Sequence, residues 1–173
     1  MTEALAGVLL GPRRAQERLD RAQRRRWAKL SEVLRITPGY RESGGGGGGA
    51  GGPKDSQLAV LADMSLQVRE LRRQCEEAEN TLERFLEKLE REFPDYGARD
   101  AVLLRCRYRD GRSWAETRSA LASRGYWAKT ERTLYNWHRG ALDRGEVLVM
   151  AETEHGEAEN TEPGARSTKE TSL

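Results

Sequence analysis

The most regular apolar pattern in the chain lies between residues 56 and 92 and predicts one long amphipathic helix. Apolar side chains recur there at alternating steps of three and four residues, which is the heptad pattern of a coiled coil. Pro94 follows and is expected to end the helix. Cys75 occupies a seam position, so we expect a core residue rather than a reactive thiol. The seam comprises Leu61, Met64, Val68, Leu71, Cys75, Ala78, Leu82, Phe85 and Leu89.

A weaker apolar pattern predicts an earlier helix from about residue 13 to residue 35. Pro12 stands near its expected start, where proline is tolerated. Residues 1–12 are expected to form a flexible N-terminus. The glycine-rich stretch 37–55 is expected to form a disordered loop, because glycine loses the most conformational freedom on ordering. The two helices would then form an antiparallel hairpin over residues 13–95. The expected seam of the first helix is Leu19, Gln23, Trp27, Leu30 and Leu34.

The two helices of this hairpin differ in expected length. The second exceeds the first by roughly a third, at about 1.5 Å of rise per residue. We therefore expect its far end to pack on another part of the protein, either the next domain or a second copy of the chain.

Residues 96–146 carry three shorter helical patterns. The stretch ARDAVLLRCRY, from residue 98, is amphipathic and is followed by Asp-Gly. The next helix opens with SWAE, which fits the capping box of a serine followed three residues later by glutamate, and it is expected to stop at Gly125. Thr130 can cap the last helix, which is expected to end near Arg144 and Gly145. Residues 147–173 are polar and acidic, and we expect a disordered tail.

The last helix has two faces by helical spacing. Leu134, Trp137, Ala141 and Leu142 fall on one side and are expected to pack inward. The other side carries arginine, asparagine and tyrosine, the residue types that read base edges and hold phosphates. The expected packing partners of the inner side are Leu103, Leu104, Tyr108, Trp114 and Leu121. The outer side consists of Glu131, Arg132, Tyr135, Asn136 and Arg139.

The charge distribution adds to this picture, although the net charge is only +2. Residues 70–95 carry nine acidic and five basic side chains, whereas residues 98–145 carry eleven basic and five acidic ones. A basic excess of this kind favours an approach to DNA. Charged residues make up 34% of the chain and hydrophobic residues 36%. Such a composition suits solvated helices with narrow apolar seams rather than one large core.

An arginine stripe on the first helix has two interpretations. Arg14, Arg18, Arg21 and Arg25 lie at helical spacing along one face. They could bind phosphate, or they could be a solvated face that pairs with the acidic part of the long helix.

Several kinds of chemistry find no support in the sequence. The two cysteines and two histidines lack metal-ligand or redox spacing, and no nucleophile–base or carboxylate pair has usable spacing. We therefore expect neither an enzyme nor a cofactor. No apolar run reaches membrane-spanning length, and a reduced, cytoplasmic protein is the expectation.

The stretches LLRCRYRDGRSWAE and TERTLYNWHRGALDR resemble the sigma-factor domain that reads the promoter −35 element. The wider layout is similar to phage and prophage transcription regulators of the ArpU/RinA type, including RITPGY and the glycine stretch at the hairpin junction. The resemblance spans residues 15–145. It implies an all-α fold, with an N-terminal antiparallel helical hairpin, or coiled coil, followed by a three-helix sigma-like helix-turn-helix domain.

The resemblance also implies roles for individual residues. The first turns of the last helix would enter the major groove of double-stranded DNA, with Arg107 and Arg112 touching the backbone. Base contacts would fall to Glu131, Arg132, Tyr135 and Asn136, and a phosphate contact to Arg139.

This sequence also departs from the sigma-like pattern. The turn GYWAK is about three residues longer than expected, and Thr117 and Arg118 replace an apolar and a small residue. No counterpart of the sigma domain that melts the −10 element is recognisable, so a complete sigma factor is not expected.

The leading hypothesis is a sequence-specific transcription regulator of phage or prophage type, whose hairpin forms a homodimer or docks on RNA polymerase. A second is a DNA-packaging component like a small terminase subunit, which would form a ring of many subunits. A third is a coiled-coil adaptor that binds only protein and would bind no DNA at low salt.

Overall fold

The computed structural model describes residues 1–35 and 55–159 and is all-helical over that part of the chain, as predicted. The predicted glycine-rich loop 37–55 lies outside the described residues except for Asp55. The helix observed at the position of the last predicted one is the longest of the three that follow the hairpin. The helices are α1 (Glu3–Arg35), α2 (Asp55–Glu92), α3 (Gly97–Leu104), which continues as a π-helical segment (Arg105–Arg109), α4 (Trp114–Ala122) and α5 (Glu131–Glu159).

Helices α1 and α2 form the predicted antiparallel hairpin. Gly11 of α1 lies against Ala78 of α2, while Arg26, further along α1, donates from Nε to Ser65 Oγ at 3.1 Å. Residues later in α1 therefore contact residues earlier in α2, as expected for two antiparallel helices. All nine predicted seam residues of α2 are buried or half-buried, so the heptad pattern located this helix and its inner face.

The first helix begins ten residues earlier than predicted, and the expectation of a flexible N-terminus over residues 1–12 is wrong. Leu5 and Leu9 are fully buried. Pro12 is also buried and lies inside α1 rather than at its start. Burial on both sides of the proline, at Leu9 and Ala15, stabilises a helix that local propensity alone would interrupt.

The predicted seam of α1 was wrong at two of its five positions. Trp27 is 65% exposed and Leu34 is 63% exposed, although both were expected to face α2, whereas Leu19, Gln23 and Leu30 are buried or half-buried. The inner face also includes small residues, which allow the two helices to approach closely. Its buried members include Ala15, Leu19, Ala22 and Val33.

The far end of α2 packs on other parts of the same chain, which was one of the two expectations. The expected excess of α2 by roughly a third is wrong, because α1 has 33 residues and α2 has 38. Leu82, Phe85, Leu86 and Leu89 share one core with Leu5 and Leu9 of α1 and with α3, α4 and α5. The hairpin and the three following helices therefore have a common apolar core. Gly97 makes the tight connection from α2 to α3 possible, because a Cβ there would lie only 2.3 Å from the Leu89 carbonyl oxygen.

Helix α5 continues past the predicted stop at Gly145, and the predicted disordered tail 147–173 begins as helix. Gly145 is buried, and a Cβ there would lie within 3.4 Å of Phe85 and Leu5 side-chain atoms. The glycine thus permits close packing rather than ending the helix. Leu148 and Val149 are buried in the core. Residues 160–173 lie outside the described residues.

Within these described ranges, none of the helices combines the length and the apolar character needed to cross a bilayer.

Candidate nucleic-acid interface

The predicted capping box at the start of α4 is confirmed. Ser113 Oγ accepts from the Glu116 amide at 3.3 Å, and Glu116 Oε2 accepts from the Ser113 amide at 2.7 Å. The hydrogen bonds from Ser113 lower the pKa of Glu116. These contacts satisfy main-chain donors that the first turn of a helix leaves free, and they fix where α4 begins.

Replacing Ser113 with alanine is expected to lower the free energy of unfolding by about 1 kcal/mol, because the cap acceptor is lost. Urea denaturation followed by circular dichroism measures the change. Ser119→Ala is the matched control, since Ser119 is exposed on the same helix. An equal effect in both variants would contradict a role for the cap.

The turn between α4 and α5 is closed by main-chain hydrogen bonds. Gly125 has a φ of +85°, which favours glycine. The Tyr126 and Gly125 amides donate to Leu121 O and Ala122 O, both at 3.0 Å, in the Schellman arrangement. Thr130 Oγ1 then accepts from the Thr133 amide at 3.2 Å, so the predicted cap of α5 is confirmed.

The inner side of α5 packs as predicted. Leu134 and Ala141 are buried, while Trp137 and Leu142 are half-buried against the same core. The expected partners on α3, the π-helical segment and α4 all belong to that core. This packing determines which side of α5 faces solvent.

The outer side of α5 is exposed over its first nine residues. Tyr135 is 46% exposed and makes an edge contact with Trp114, with ring centroids 4.6 Å apart. The other members make no side-chain hydrogen bond or ion pair with any residue in the described part of the chain. We call this surface the reading face; it consists of Glu131, Arg132, Tyr135, Asn136 and Arg139.

The dimensions of the helix that carries the reading face suit a DNA groove. An α-helix with its side chains is about 10–12 Å in diameter, and the major groove of B-DNA, which admits such a helix, is about 12 Å wide. Arginine and asparagine can each form two hydrogen bonds to one base edge, arginine to guanine and asparagine to adenine. Arg132 and Asn136 are separated by one helical turn and are both exposed.

The two other predicted DNA contacts are engaged inside the protein. The Arg107 guanidinium lies 4.1 Å from the centroid of the Trp114 ring, and it donates to the Arg112 carbonyl oxygen. Arg112 forms an ion pair with Asp110 at 3.0 Å. Both arginines are therefore less available to a phosphate than the arginines of the reading face.

His138 supports the reading face from behind. Its Nε2 lies 3.1 Å from Tyr108 Oη, and its ring meets the Trp114 ring edge-on at 5.3 Å. Burial and the nearby Arg107 charge lower the pKa of His138. The imidazole is therefore neutral at pH 7 and packs Trp114 and Tyr108 against α5.

A buried carboxylate that sequence reasoning missed fixes α5 against α3. Asp100 is fully buried. One oxygen accepts from Arg99 at 2.8 Å, and the other accepts from Arg144 at 2.5 and 2.7 Å. Arg99 also lies over the Trp137 ring at 4.6 Å. The only sequence signal was an Arg-Asp pair at the start of an apolar helical stretch.

Comparison with protein-family models, curated proteins and solved structures finds no match to this chain. Across residues 1–35 and 55–159, no group of three or more histidine, cysteine, aspartate or glutamate side chains is placed to hold a metal ion. The candidate site therefore rests on the geometry and charge of α5 and its surroundings.

Exposed residues that were not assigned to the reading face from the sequence flank it: Arg118, Trp127 and Lys129. Trp127, in the long turn, is 74% exposed. It lines a groove of about 410 Å³ between α4 and α5, together with Arg118 and Glu131. Arg118 donates to the Lys129 carbonyl oxygen at 3.4 Å. The extra length of the GYWAK turn was the available signal, because those residues project Trp127 beside the start of α5.

Proposed function

We propose that this protein is a sequence-specific DNA-binding protein that inserts the start of α5 into the major groove. The observation that carries the proposal is the reading face: an exposed, unpaired set of base-reading side chains on a helix whose opposite side is held in the core. The preceding helix and turn supply the remaining parts of a helix-turn-helix arrangement. The basic excess of residues 98–145 favours DNA over a neutral partner.

The biological role that fits best is transcription regulation of the phage or prophage type. The support is the resemblance of the last helices to the sigma domain that reads the −35 element, together with the hairpin that precedes them. In this proposal the reading face selects the site, and the hairpin presents a surface for a second copy or for RNA polymerase.

Selection of a DNA site from a random duplex library, followed by binding measurements across salt concentrations, tests the proposal. The selected duplex is expected to bind at least about a thousandfold more tightly than a scrambled duplex of the same composition. Affinity should fall steeply as salt rises, with each phosphate contact contributing about 0.9 to the slope of log K against log salt. Equal affinity for both duplexes would contradict the proposal that the protein recognises a specific DNA sequence.

The end of the hairpin where the chain connects α1 to α2 favours protein assembly as an additional role. Large apolar side chains are exposed there on both helices: Trp27, Leu34, Leu58 and Leu66. Light scattering separates the possibilities, because a ring of many subunits favours a packaging component and a monomer or dimer favours regulation. A stable protein complex without DNA binding at low salt would favour a coiled-coil adaptor.

A further inference from the structure

The arginine stripe of α1 lines a groove on the hairpin. The groove has a volume of about 560 Å³ and is bordered on α1 by Arg18, Arg21, Arg24 and Arg25. Its α2 side is formed by Gln67 and Leu71, which carry no charge. We call this feature the arginine groove. Arg14 continues the same face toward the N-terminus, where it lines a neighbouring groove with Arg18 and Arg21.

The arginine groove does not pair with the acidic residues of α2, which was one of the two sequence interpretations. Glu70 and Glu77 form ion pairs with Arg73 of the same helix. Glu83 pairs with Arg105 and Arg109 of the π-helical segment. Within the described part of the chain, no acid of α2 forms an ion pair with an arginine of the stripe.

The acids of α1 also leave most of this charge in place. Glu17 forms an ion pair with Arg13 at 3.3 Å. Asp20 Oδ1 accepts from the side-chain amide of Gln16 at 2.7 Å. Arg21 and Arg24 donate from Nε to the carbonyl oxygens of Glu17 and Asp20, which orients them without neutralising them. No ion pair involves the four groove arginines or Arg14 within the described part of the chain.

The pattern of these cations matches a ligand with regularly repeated negative charge. Arg14, Arg18, Arg21 and Arg25 are separated by three or four residues, which places them about 4.5–6 Å apart along the helix axis. Residues 13–26 contain seven arginines and no lysine. Arginine is the cation that binds phosphate oxygens through two parallel hydrogen bonds.

The arginine groove is joined to α5 through the first residues of the chain. The N-terminal amino group of Met1 forms an ion pair with Glu146 of α5 at 2.9 Å, and Leu5 packs against Gly145, which lies about 9 Å along α5 from Arg139 of the reading face. Arg14 and Arg25 follow Leu5 by nine and twenty residues, or about 14 and 30 Å along α1. A duplex that extends a few turns beyond the reading face covers such distances.

We propose that the arginine groove binds the phosphate backbone of duplex DNA and thereby makes a second, sequence-independent contact beside the reading face. The inference rests on the proposed DNA-binding function. A second copy of the chain is the less favoured occupant, because three of the acids that its α2 could offer, Glu70, Glu77 and Glu83, are already paired within that copy. The groove contact would raise affinity for all sequences alike, since phosphates carry no sequence information.

The test uses the full chain with Arg18, Arg21 and Arg25 changed together to glutamine. Fluorescence anisotropy with the selected and the scrambled duplex gives the affinity for each at several salt concentrations. The slope of log K against log salt is expected to become shallower by about 2.7, since each lost phosphate contact removes about 0.9. Both duplexes should lose affinity by the same factor, so the preference between them should remain.

The matched control changes Arg69, Arg72 and Arg84 to glutamine and removes the same charge from α2. All three are exposed. Arg69 and Arg72 each follow a seam residue by one position, whereas Gln67 of the groove precedes one, so these two arginines lie on the opposite flank of α2. Arg84 is distant from the groove, because it lies about 25 Å along α2 from Gln67. The control is expected to change the slope by much less than the groove variant.

The outcomes separate this inference from the proposed function. Equal slopes for the groove variant and its control, with the wild-type preference intact, would overturn the groove contact and leave the reading face standing. Loss of a dimer in light scattering, with unchanged DNA affinity, would also overturn it and assign the groove to a second copy. Absence of any DNA binding by the wild-type chain would instead overturn the proposed function.

Discussion

Alanine substitution of both Arg132 and Asn136 is expected to reduce the preference of the protein for its selected DNA site by about 30-fold or more. Each bidentate contact to a base contributes about 1–3 kcal/mol of discrimination, so the pair should account for about 2–6 kcal/mol together. The ratio of dissociation constants for the selected and the scrambled duplex should fall by about 30-fold at the low end of this range. Competition titrations at one fixed salt concentration measure this ratio directly.

The fold is expected to survive this double substitution. Both side chains are exposed, and alanine has a higher helix propensity than either residue. Arg72→Ala with Asn80→Ala is the matched control, since it removes the same two residue types from exposed positions on α2. An unchanged preference in the reading-face variant, with normal helicity by circular dichroism, would show that α5 does not read the site.

The sequence predicted α2 far better than α1, and the reason lies in the size of their seam residues. The α2 seam consists mostly of large apolar side chains at uninterrupted heptad spacing, so its inward-facing positions could be predicted. The α1 seam relies on Ala15 and Ala22, which leave a weak periodic signal. Trp27 and Leu34 outweighed those alanines in the pattern although both face solvent.

The ends of α1 and α5 were missed because tertiary packing overrides local signals there. Gly145 is a reasonable helix stop by sequence, and Pro12 a reasonable start. In the fold, Gly145 instead gives Leu5 and Phe85 room to approach α5. The burial of Leu5 carries α1 back through Pro12 to residue 3. Each extension depends on the other, so neither could be inferred from its own segment.

The inner and outer sides of α5 could be predicted, whereas the contacts that individual arginines make within the protein could not. Helical spacing and the capping residues Ser113 and Thr130 suffice to separate an inner from an outer side. The engagement of Arg107 by Trp114, and of Arg144 by Asp100, depends on contacts between separate helices. Charge counts over residues 98–145 treat such internal arginines as if they were all free for DNA. Whether the reading face binds DNA stays a prediction.

The buried Asp100 carboxylate is expected to be the most sensitive polar position in the fold. Asp100→Asn should lower the free energy of unfolding by about 3 kcal/mol, because loss of one partner leaves the remaining buried charges uncompensated. The asparagine amide would also present a donor where Arg99 or Arg144 already donates. The partial exposure of the two arginines, at 14% and 23% of their side chains, places the loss at the low end of the usual range for a broken buried pair.

Urea denaturation measures this loss, and Asp143→Asn serves as the control because Asp143 is exposed on α5. A loss below about 1 kcal/mol, with an unchanged dependence on urea, would show that the two arginines find other partners.

The ion pairs connect α3 to α5 through Arg144, thirteen residues beyond the start of α5. The same variant, assayed at low urea where it remains folded, should therefore lose affinity for the selected duplex more than for the scrambled one. Base contacts depend on the orientation of α5, whereas phosphate contacts tolerate small changes in it.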